Sequence, residues 1–488
     1  MKFRTFIQSV SVVLTAATTT YGGSSPPIPG RAIIKVQSGS TIVAAIDYVE
    51  SLLPEVTFSV ADDTLASRDL YLLNFEPAPV PPDPQVEDVL ESLKDDPLNQ
   101  TSLYGEFLYI DRTPESDTGS IWFHSISGFE QFNSQYAETM LGLGPAQMRS
   151  TGQGVVVAVL DTGIDATHPL LADAIAPGGY NFINDNTDTN DPIDGVGHGT
   201  FVASLIHLTA PDASLLPVVI LDSDGIGDLW LLTRGIYHAI DRGVEVINLS
   251  LGSDYNSDAV AEAIEDARDL GIVVPVAGGN ITPPSTESIK EYPAIRSNML
   301  GVAALDSLGH VKADFSNFHS NFLISAPGAS VEDIGAPEGF DPALTIYGAV
   351  PGGEYAIWQG TSFATAFVSG TAALVRAQHP NWPMAVMEPG DIVDEIEAVL
   401  TETSVSIYDP PNNKDYQGQL GVGRLDADAA TLVGAGDVDA DGVIGLTDLL
   451  ALLDAWGPCK DICRPDLDSD GVVGITDFLM VLANWGPS

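Results

Sequence analysis

Three short segments of this sequence hold residue types that do nucleophilic chemistry when a fold brings them together. Asp161-Thr-Gly-Ile-Asp165 follows an apolar run, Gly197-His198-Gly-Thr200 opens one predicted helix, and Gly360-Thr-Ser362-Phe-Ala-Thr365 opens another. Taken singly, each has a plain structural reading: a turn, a helix start and an N-cap. Together, in the order Asp, His, Ser, they meet the needs of an activated serine. A hydroxyl is a weak nucleophile, so a base must take its proton as it attacks a carbonyl. His198 suits the base, and Asp161 the group that holds the imidazole tautomer and steadies its charge. Ser362 suits the nucleophile, at a helix mouth where backbone N–H groups point outward.

The elements that must position these residues are legible in the hydropathy pattern. Val155 to Leu160, Leu215 to Leu221, Val244 to Leu249, Ile272 to Ala277 and Met299 to Ala304 are short, continuously apolar runs. Helical stretches such as Trp230 to Asp241 and Asp258 to Leu270 separate them. Apolar strands alternating with helices predict an α/β fold, a parallel sheet covered by helices on both faces. Function in such sheets gathers at the carboxyl ends of the strands. Ahead of this lies a smaller α+β unit of the split βαβ kind. Its strands are expected at Ala32–Val36, Thr57–Val60, Leu70–Phe75 and Phe107–Ile110, and its helices at Thr41–Leu53 and Val86–Leu93.

In these residues and their order the chain resembles the subtilases, from about Gln135 to Ala430. Further matches are Tyr292-Pro293-Ala294, Phe315-Ser-Asn317, Ala326-Pro-Gly328 and Gly423-Arg-Leu-Asp-Ala427. The resemblance implies a subtilisin-like fold and hydrolysis of peptide bonds in protein or peptide substrates through an acyl-enzyme. It implies that Asn280, in Ala277-Gly278-Gly279-Asn280, donates to the oxyanion beside the backbone N–H of Ser362. It also implies that Ser250-Leu251-Gly252 pairs with substrate as an added strand, opposite a wall at Asp224-Gly225-Ile226-Gly227. Glu291 falls where the family forms the base of the pocket for the side chain before the cut bond. There it would favour Lys or Arg; otherwise it is a loop carboxylate in a very acidic protein. Residues 26–118 resemble the propeptide of such enzymes, an inhibitor carried in the same chain, with the peptidase domain expected at 119–434. Three departures stand out: Phe363 for the usual Met after the nucleophile, Ala366 for a Pro, and Phe201 for a His. None of these side chains performs the chemistry, though pocket shape is open to change.

Asp-Thr-Gly recurs at Asp117-Thr-Gly-Ser120, which raises an aspartic protease. Such enzymes need two lobes with each loop behind an apolar strand. Asp117 follows Pro-Glu-Ser instead, and that reading fails.

The 488 residues carry 67 acidic and 19 basic side chains, a formal net charge of −48. A polyanionic nucleic acid would be repelled, and no basic stripe offers it a footprint. Bound cations answer part of that charge. The Asp/Asn-rich loop with Asp185, Asp188, Asp191 and Asp194 reads equally as a weak ion site or a solvated turn. Residues 1–25 have the layout of a secretory signal peptide: Lys2 and Arg4, then an apolar run from Phe6 to Ala17, then small and polar residues. The run falls short of the roughly 20 residues of a spanning helix, so an exported protein without a transmembrane span is expected, secreted or held at the cell surface. The two cysteines, Cys459 and Cys463, would need two more ligands for zinc, so a small local disulfide is the better reading.

Residues 435–488 contain a repeat. Asp437-Val-Asp-Ala-Asp-Gly-Val-Ile-Gly-Leu-Thr-Asp448 recurs as Asp466-Leu-Asp-Ser-Asp-Gly-Val-Val-Gly-Ile-Thr-Asp477, and each copy runs into a Leu-rich helix ending in Trp-Gly-Pro. Oxygen ligands at loop positions 1, 3, 5 and 12 with Gly at 6 are an EF-hand-type calcium pattern. Asp437, Asp439, Asp441 and Asp448 supply one set; Asp466, Asp468, Asp470 and Asp477 supply the other. The pair resembles a dockerin, an all-α module of EF-hand-like loops, which implies structural calcium and a cohesin-like partner. Carboxylates crowded into two loops repel one another without a cation. A fragment of residues 435–488 is therefore expected to gain helical circular dichroism on adding calcium and lose it in chelator; equal helicity in both would refute calcium-coupled folding.

Overall fold

The computed structural model describes residues 27–487 apart from 79–83, 97–98, 118–122, 126–127, 193–194, 281–290, 330–343, 381–387, 410–412, 433–435, 437, 439–442, 459–464, 468–471 and 484. The expected signal peptide lies outside the described residues. Among the described residues, no helix is long and apolar enough to cross a membrane.

The N-terminal module folds as an antiparallel sheet of four strands. In spatial order these are Thr57–Asp62, Leu70–Glu76, Arg31–Val36 and Ser102–Phe107. Helices Ile42–Leu52 and Pro84–Ser92 connect them. Buried residues such as Ile33, Phe58, Leu73 and Phe107 give the sheet its core. One expectation shifts. The closing strand is Ser102–Phe107, not Phe107–Ile110, and Ile110–Arg112 leaves this sheet to pair with Ile226–Asp228 of the main body.

The main body is built on seven parallel strands. In spatial order they are Tyr180–Asn181, Ser214–Val219, Val156–Asp161, Val246–Asn248, Pro275–Ala277, Leu300–Leu305 and Phe322–Pro327, the two halves joined by the Leu249–Val276 bridge. Along the central strand the side chains alternate between two cores. Val157 and Val159 face the core that holds the helices His198–Thr209 and Thr361–Gln378, while Ala158 and Leu160 face the one that holds Leu229–Arg242 and Asp258–Asp269. A period of two within a continuously apolar run is the signature of a strand buried on both sides. Strand order reverses at Val156–Asp161, which puts the end of that strand in the crevice where open α/β sheets bind ligands.

The terminal repeats pack around Val438, Ile444, Leu452, Leu467, Val473 and Val481. Two helices, Leu446–Asp454 and Ile475–Ala483, dominate them. The pair is not all-α as expected. Val443–Ile444 pairs with Gly486–Pro487, and Gly457–Pro458 with Val472–Val473, so each copy is clasped by the other through a two-residue ladder.

The N-terminal module sits on the helices Leu229–Arg242 and Asp258–Asp269, and its core is continuous with theirs. Buried Glu106 accepts from Ser257 Oγ at 2.6 Å, Asp258 N at 2.8 Å and Ala259 N at 3.3 Å. These are orphan donors at a helix start, where a carboxylate also meets the positive end of the helix dipole. Asp62 accepts from Trp230 Nε1 at 3.1 Å and lies 3.3 Å from Arg234, and Tyr104 donates to Glu262 at 2.9 Å. Asp111, on the strand that crosses into the body, is fully buried, and neither carboxylate oxygen has a hydrogen-bond partner among the described residues.

These carboxyls make the module's grip depend on pH. Burial outweighs the three donors and pushes Glu106 up to about 7. Burial and the neighbouring charge of Asp228 raise Asp111 well above the carboxylate range. A carboxyl whose pKa rises on docking favours the docked state below its free pKa and loses that contribution as pH climbs through the docked value. At Asp62 burial is outweighed by Thr64, Trp230 and Arg234, so its pKa is lowered and its contribution is lost only in acid. Between pH 6 and pH 9 the grip should therefore weaken. In the Ser362→Ala chain, hydrogen-exchange protection of the Arg112 and Thr113 amides, corrected for intrinsic rates, is expected to fall several-fold over that range. Asp111→Asn should flatten the fall; an unchanged slope in Asp111→Asn would remove Asp111 from the explanation.

Candidate active site

Asp161 ends the central strand and is fully buried, its Oδ1 held by Thr162 N at 2.7 Å. His198 is the first residue of its helix, entered through Gly197 at φ 72°, a left-handed turn that glycine takes without strain. Its Nδ1 lies 2.8 Å from Asp161 Oδ2 and 2.9 Å from Oδ1. Gly199 lets the helix approach this closely: a Cβ there would lie 2.2 Å from the Gly163 carbonyl oxygen. Asp191 fastens the same helix, accepting from Thr200 N at 3.2 Å and Thr200 Oγ1 at 2.8 Å.

Ser362 sits in the first turn of Thr361–Gln378, buried, its carbonyl oxygen accepting from Ser250 Oγ at 2.9 Å. Asn280 is locked beside it. Its Oδ1 accepts from Thr361 N and Thr361 Oγ1, both at 2.9 Å, which turns Nδ2 toward the nucleophile's side. The loop carrying Asn280 is held in turn: Asn317 N donates to Gly279 O at 2.9 Å and Asn317 Nδ2 to Gly278 O at 3.0 Å. A side-chain amide fixed in advance costs no reorganisation when charge develops in front of it.

One residue at the centre of this arrangement carries no sequence signal. The Glu115 carboxylate, from the turn Pro114–Asp117, lies among all of these groups. Its Oε2 is 2.8 Å from Ser362 Oγ and 3.0 Å from His198 Nε2, and its Oε1 is 2.9 Å from Asn280 Nδ2. No hydrogen bond joins Ser362 to His198 directly: Ser362 Oγ faces Glu115 and, at 3.3 Å, the Ser250 carbonyl oxygen, and His198 Nε2 faces Glu115. Burial alone would lower the His198 pKa, but the charges of and hydrogen bonds to Asp161 and Glu115 outweigh it and raise it to about 10. Glu115 is separated from its partners by 83, 165 and 247 residues, so nothing in its Thr-Pro-Glu-Ser context announces the contact.

The departures at 201 and 363 belong together. Phe201 and Phe363 are fully buried with ring centroids 4.5 Å apart, and Trp358 stands edge-on to both Phe201 and His198. The cluster backs the imidazole. Ala366 is likewise buried in the core.

The expected substrate walls do converge, and they are occupied by the chain itself. Arg112 exchanges both backbone hydrogen bonds with Gly252, at 3.0 and 3.1 Å. Thr113 N donates to Gly225 O at 3.1 Å, and Asp111 lies opposite Gly227. Leu251 is fully buried. Glu291 is only 6% exposed, which rules out the free loop carboxylate. Its carboxylate lies between the Gly252 wall and the Asn280 loop, so close that a Cβ on Gly252 would be 2.4 Å from Oε1 and one on Gly279 would be 3.1 Å from Oε2.

Among the described residues the acidic loop brings no cluster of carboxylates together. Asp185 and Asp188 are exposed, Asp191 turns inward to the helix, and Asp194 lies outside the described residues. Among the described residues no group of three or more His, Cys, Asp or Glu could hold a metal. In the terminal repeats, Asp437, Asp439, Asp441, Asp468 and Asp470 lie outside the described residues, as do Cys459 and Cys463. Asp448 and Asp477 are fully buried and behave alike. Each takes a backbone N–H from the second loop residue, Val438 or Leu467, at 2.6 Å, and one from Gly445 at 2.8 Å or Gly474 at 2.7 Å. Position 12 thus reaches back to the start of each loop, at Val438 or Leu467, as an oxygen-ligand loop requires.

Comparison with known proteins bears on residues 152–427, which match the Subtilase family. Subtilisin NAT of Bacillus subtilis subsp. natto is 36% identical over 267 residues, covering 53% of this chain and 63% of that one, so the chain spans less than two thirds of this relative. Subtilisin of Bacillus pumilus is 35% identical over 53% of this chain and 88% of its own. Thermitase of Thermoactinomyces vulgaris is 35% identical over 50% and 82%. Among solved structures, fervidolysin from Fervidobacterium pennivorans, described as a keratinolytic enzyme related to subtilisin, aligns with 85% of this chain and 62% of its own at TM-score 0.61 and 23% identity. A lanthipeptide protease aligns with 62% and 96% at TM-score 0.53 and 24% identity. At those identities the solved structures speak to fold alone, but the sequence relatives and the family match go further: this chain belongs to the subtilase family.

Proposed function

We propose that the chain is the precursor of a secreted serine endopeptidase that matures by cutting itself. The observation that carries the reading is the convergence of His198 (on Asp161), Ser362 and Asn280 around one carboxylate. With that carboxylate withdrawn, His198 takes the Ser362 proton as Oγ attacks a peptide carbonyl, then protonates the leaving amine. Asp161 keeps the Nδ1 proton in place. The oxyanion meets Asn280 Nδ2 and the Ser362 backbone N–H. Water then cleaves the acyl-enzyme by the same steps in reverse. No cofactor takes part in the chemistry.

Residues 26–118 act in this reading as an inhibitory propeptide, supported by the Glu106 cap and the strand Ile110–Arg112 lying between the substrate walls. Glu291, buried between Gly252 and Gly279, places a carboxylate where Lys or Arg of a substrate would be held by charge-assisted hydrogen bonds.

For residues 435–488 a docking role is supported by a specific observation. Leu446, Leu450, Leu453 and Trp456 are exposed, and so are their repeat counterparts Ile475, Leu479, Leu482 and Trp485. Two matched apolar rows on a small module suit a cohesin-like protein partner. Calcium, held by the Asp437, Asp439, Asp441 and Asp448 set and the Asp466, Asp468, Asp470 and Asp477 set, would supply the positive charge that lets those carboxylates crowd together.

Two measurements check the catalytic reading. Ser362→Ala is expected to abolish casein hydrolysis and leave an uncleaved precursor, and Asn280→Ala to lower kcat by roughly 10²–10³ with little change in KM; normal processing of Ser362→Ala in a protease-free host would overturn self-maturation. For specificity, Glu291→Gln is expected to reduce the Lys-to-Phe ratio of kcat/KM across peptides differing only before the cut bond, and an unchanged ratio would dismiss Glu291.

A further inference from the structure

We propose that the Glu115 side chain is a self-supplied ligand of the catalytic site, a carboxylate lock that keeps the uncut chain latent. The proposal deepens the peptidase reading and rests on it. A blocking strand needs only its backbone between the walls, and that pairing ends at Thr113. Beyond it the chain curls into the turn Pro114–Asp117, whose helical φ suits Pro114. The curl delivers the Glu115 carboxylate, and not an extended peptide bond, to the reacting groups.

Three catalytic functions are disabled by one planar anion. Ser362 Oγ donates its proton to Oε2 and not to His198. His198 has both ring nitrogens beside carboxylates, Nδ1 on Asp161 and Nε2 on Glu115, so both act as N–H donors and the ring is an imidazolium. An imidazolium has no lone pair with which to accept the serine proton. Asn280 Nδ2, the side-chain donor for an oxyanion, is taken up by Oε1. The seat is also shaped for a carboxylate: a Cβ on Gly360 would fall 1.7 Å from Glu115 Oε1, so only glycine there leaves room. The lock opens without bond chemistry. The turn unwinds, the carboxylate leaves, His198 gives up a proton to solvent, and the next peptide of the segment can extend past Ser362.

The test uses full-length chains refolded from denaturant, wild type beside Glu115→Gln and Glu115→Ala, with a fluorophosphonate as probe of the free serine. Glu115→Gln keeps the size of the side chain and removes its charge. Both variants are expected to label, and to cut themselves, at least tenfold faster than wild type. If neither exceeds wild type while the processed enzyme labels readily, the lock is refuted and the peptidase reading stands. If no form labels, processed enzyme included, both fall. A second measurement does not require the variants to fold. Synthetic peptides of residues 108–117, with Glu or Gln at 115, are added to processed wild-type enzyme, and the Glu peptide is expected to inhibit at least tenfold more tightly. Equal inhibition by the two would overturn the proposal.

Discussion

Asp161 and His198 meet in a place that water does not reach. A carboxylate without solvent is costly unless its oxygens are fully hydrogen-bonded, and Asp161 finds its partners in the imidazole and in its own loop through Thr162. That pair sets the demands on its neighbours. The central strand must stop at residue 161, the histidine helix must start at 198, and the two backbones must come close enough that only glycine fits at 199. Asp191 and Thr200 then pin the helix so that the ring cannot drift. Behind the ring, three aromatic side chains fill the space that would otherwise let it rotate.

The same need, to satisfy buried polar groups, governs how the N-terminal module is held. Its carboxylates go to helix starts and to cations of the body, with Glu106 at Ser257–Ala259 and Asp62 at Trp230 and Arg234. In a chain with 67 acidic residues this is a selective use of charge. Most carboxylates face solvent, and a few are spent where an N–H or guanidinium awaits. Asp111 is the exception, buried with neither carboxylate oxygen hydrogen-bonded among the described residues.

Much of this could be read from residues alone because the signals are local. Asp-Thr-Gly after an apolar strand, Gly-His-Gly-Thr and Gly-Thr-Ser at helix starts each describe a backbone shape as well as a reactive group. The alternation of apolar runs and helices likewise dictates a sheet covered on both faces. What escaped was long-range. Glu115 meets partners far along the chain, and its short turn has no periodicity to betray it. Phe201 and Phe363 read as two unrelated departures, yet they are one contact, ring against ring across two helices. Hydropathy does not separate the strand Ile110–Arg112 from its predecessor, because Phe107 to Ile110 is apolar throughout and carries no mark of where the chain leaves one sheet for another.

The reciprocal clasp of the terminal repeats has a consequence for biosynthesis. The strand that closes the first loop, Val443–Ile444, takes its partner from Gly486–Pro487, more than forty residues downstream. A nascent chain that has emerged as far as the first helix has no mate for that loop. The second ladder, between Gly457–Pro458 and Val472–Val473, can close earlier because it needs a much shorter stretch. The two repeats, alike in pattern, are thus unequal in time: the inner ladder can form first, and the outer one completes the module only when residues 486–487 have been made. A chain cut short ahead of residue 486 would therefore keep the partners of the inner ladder and lose those of the outer one.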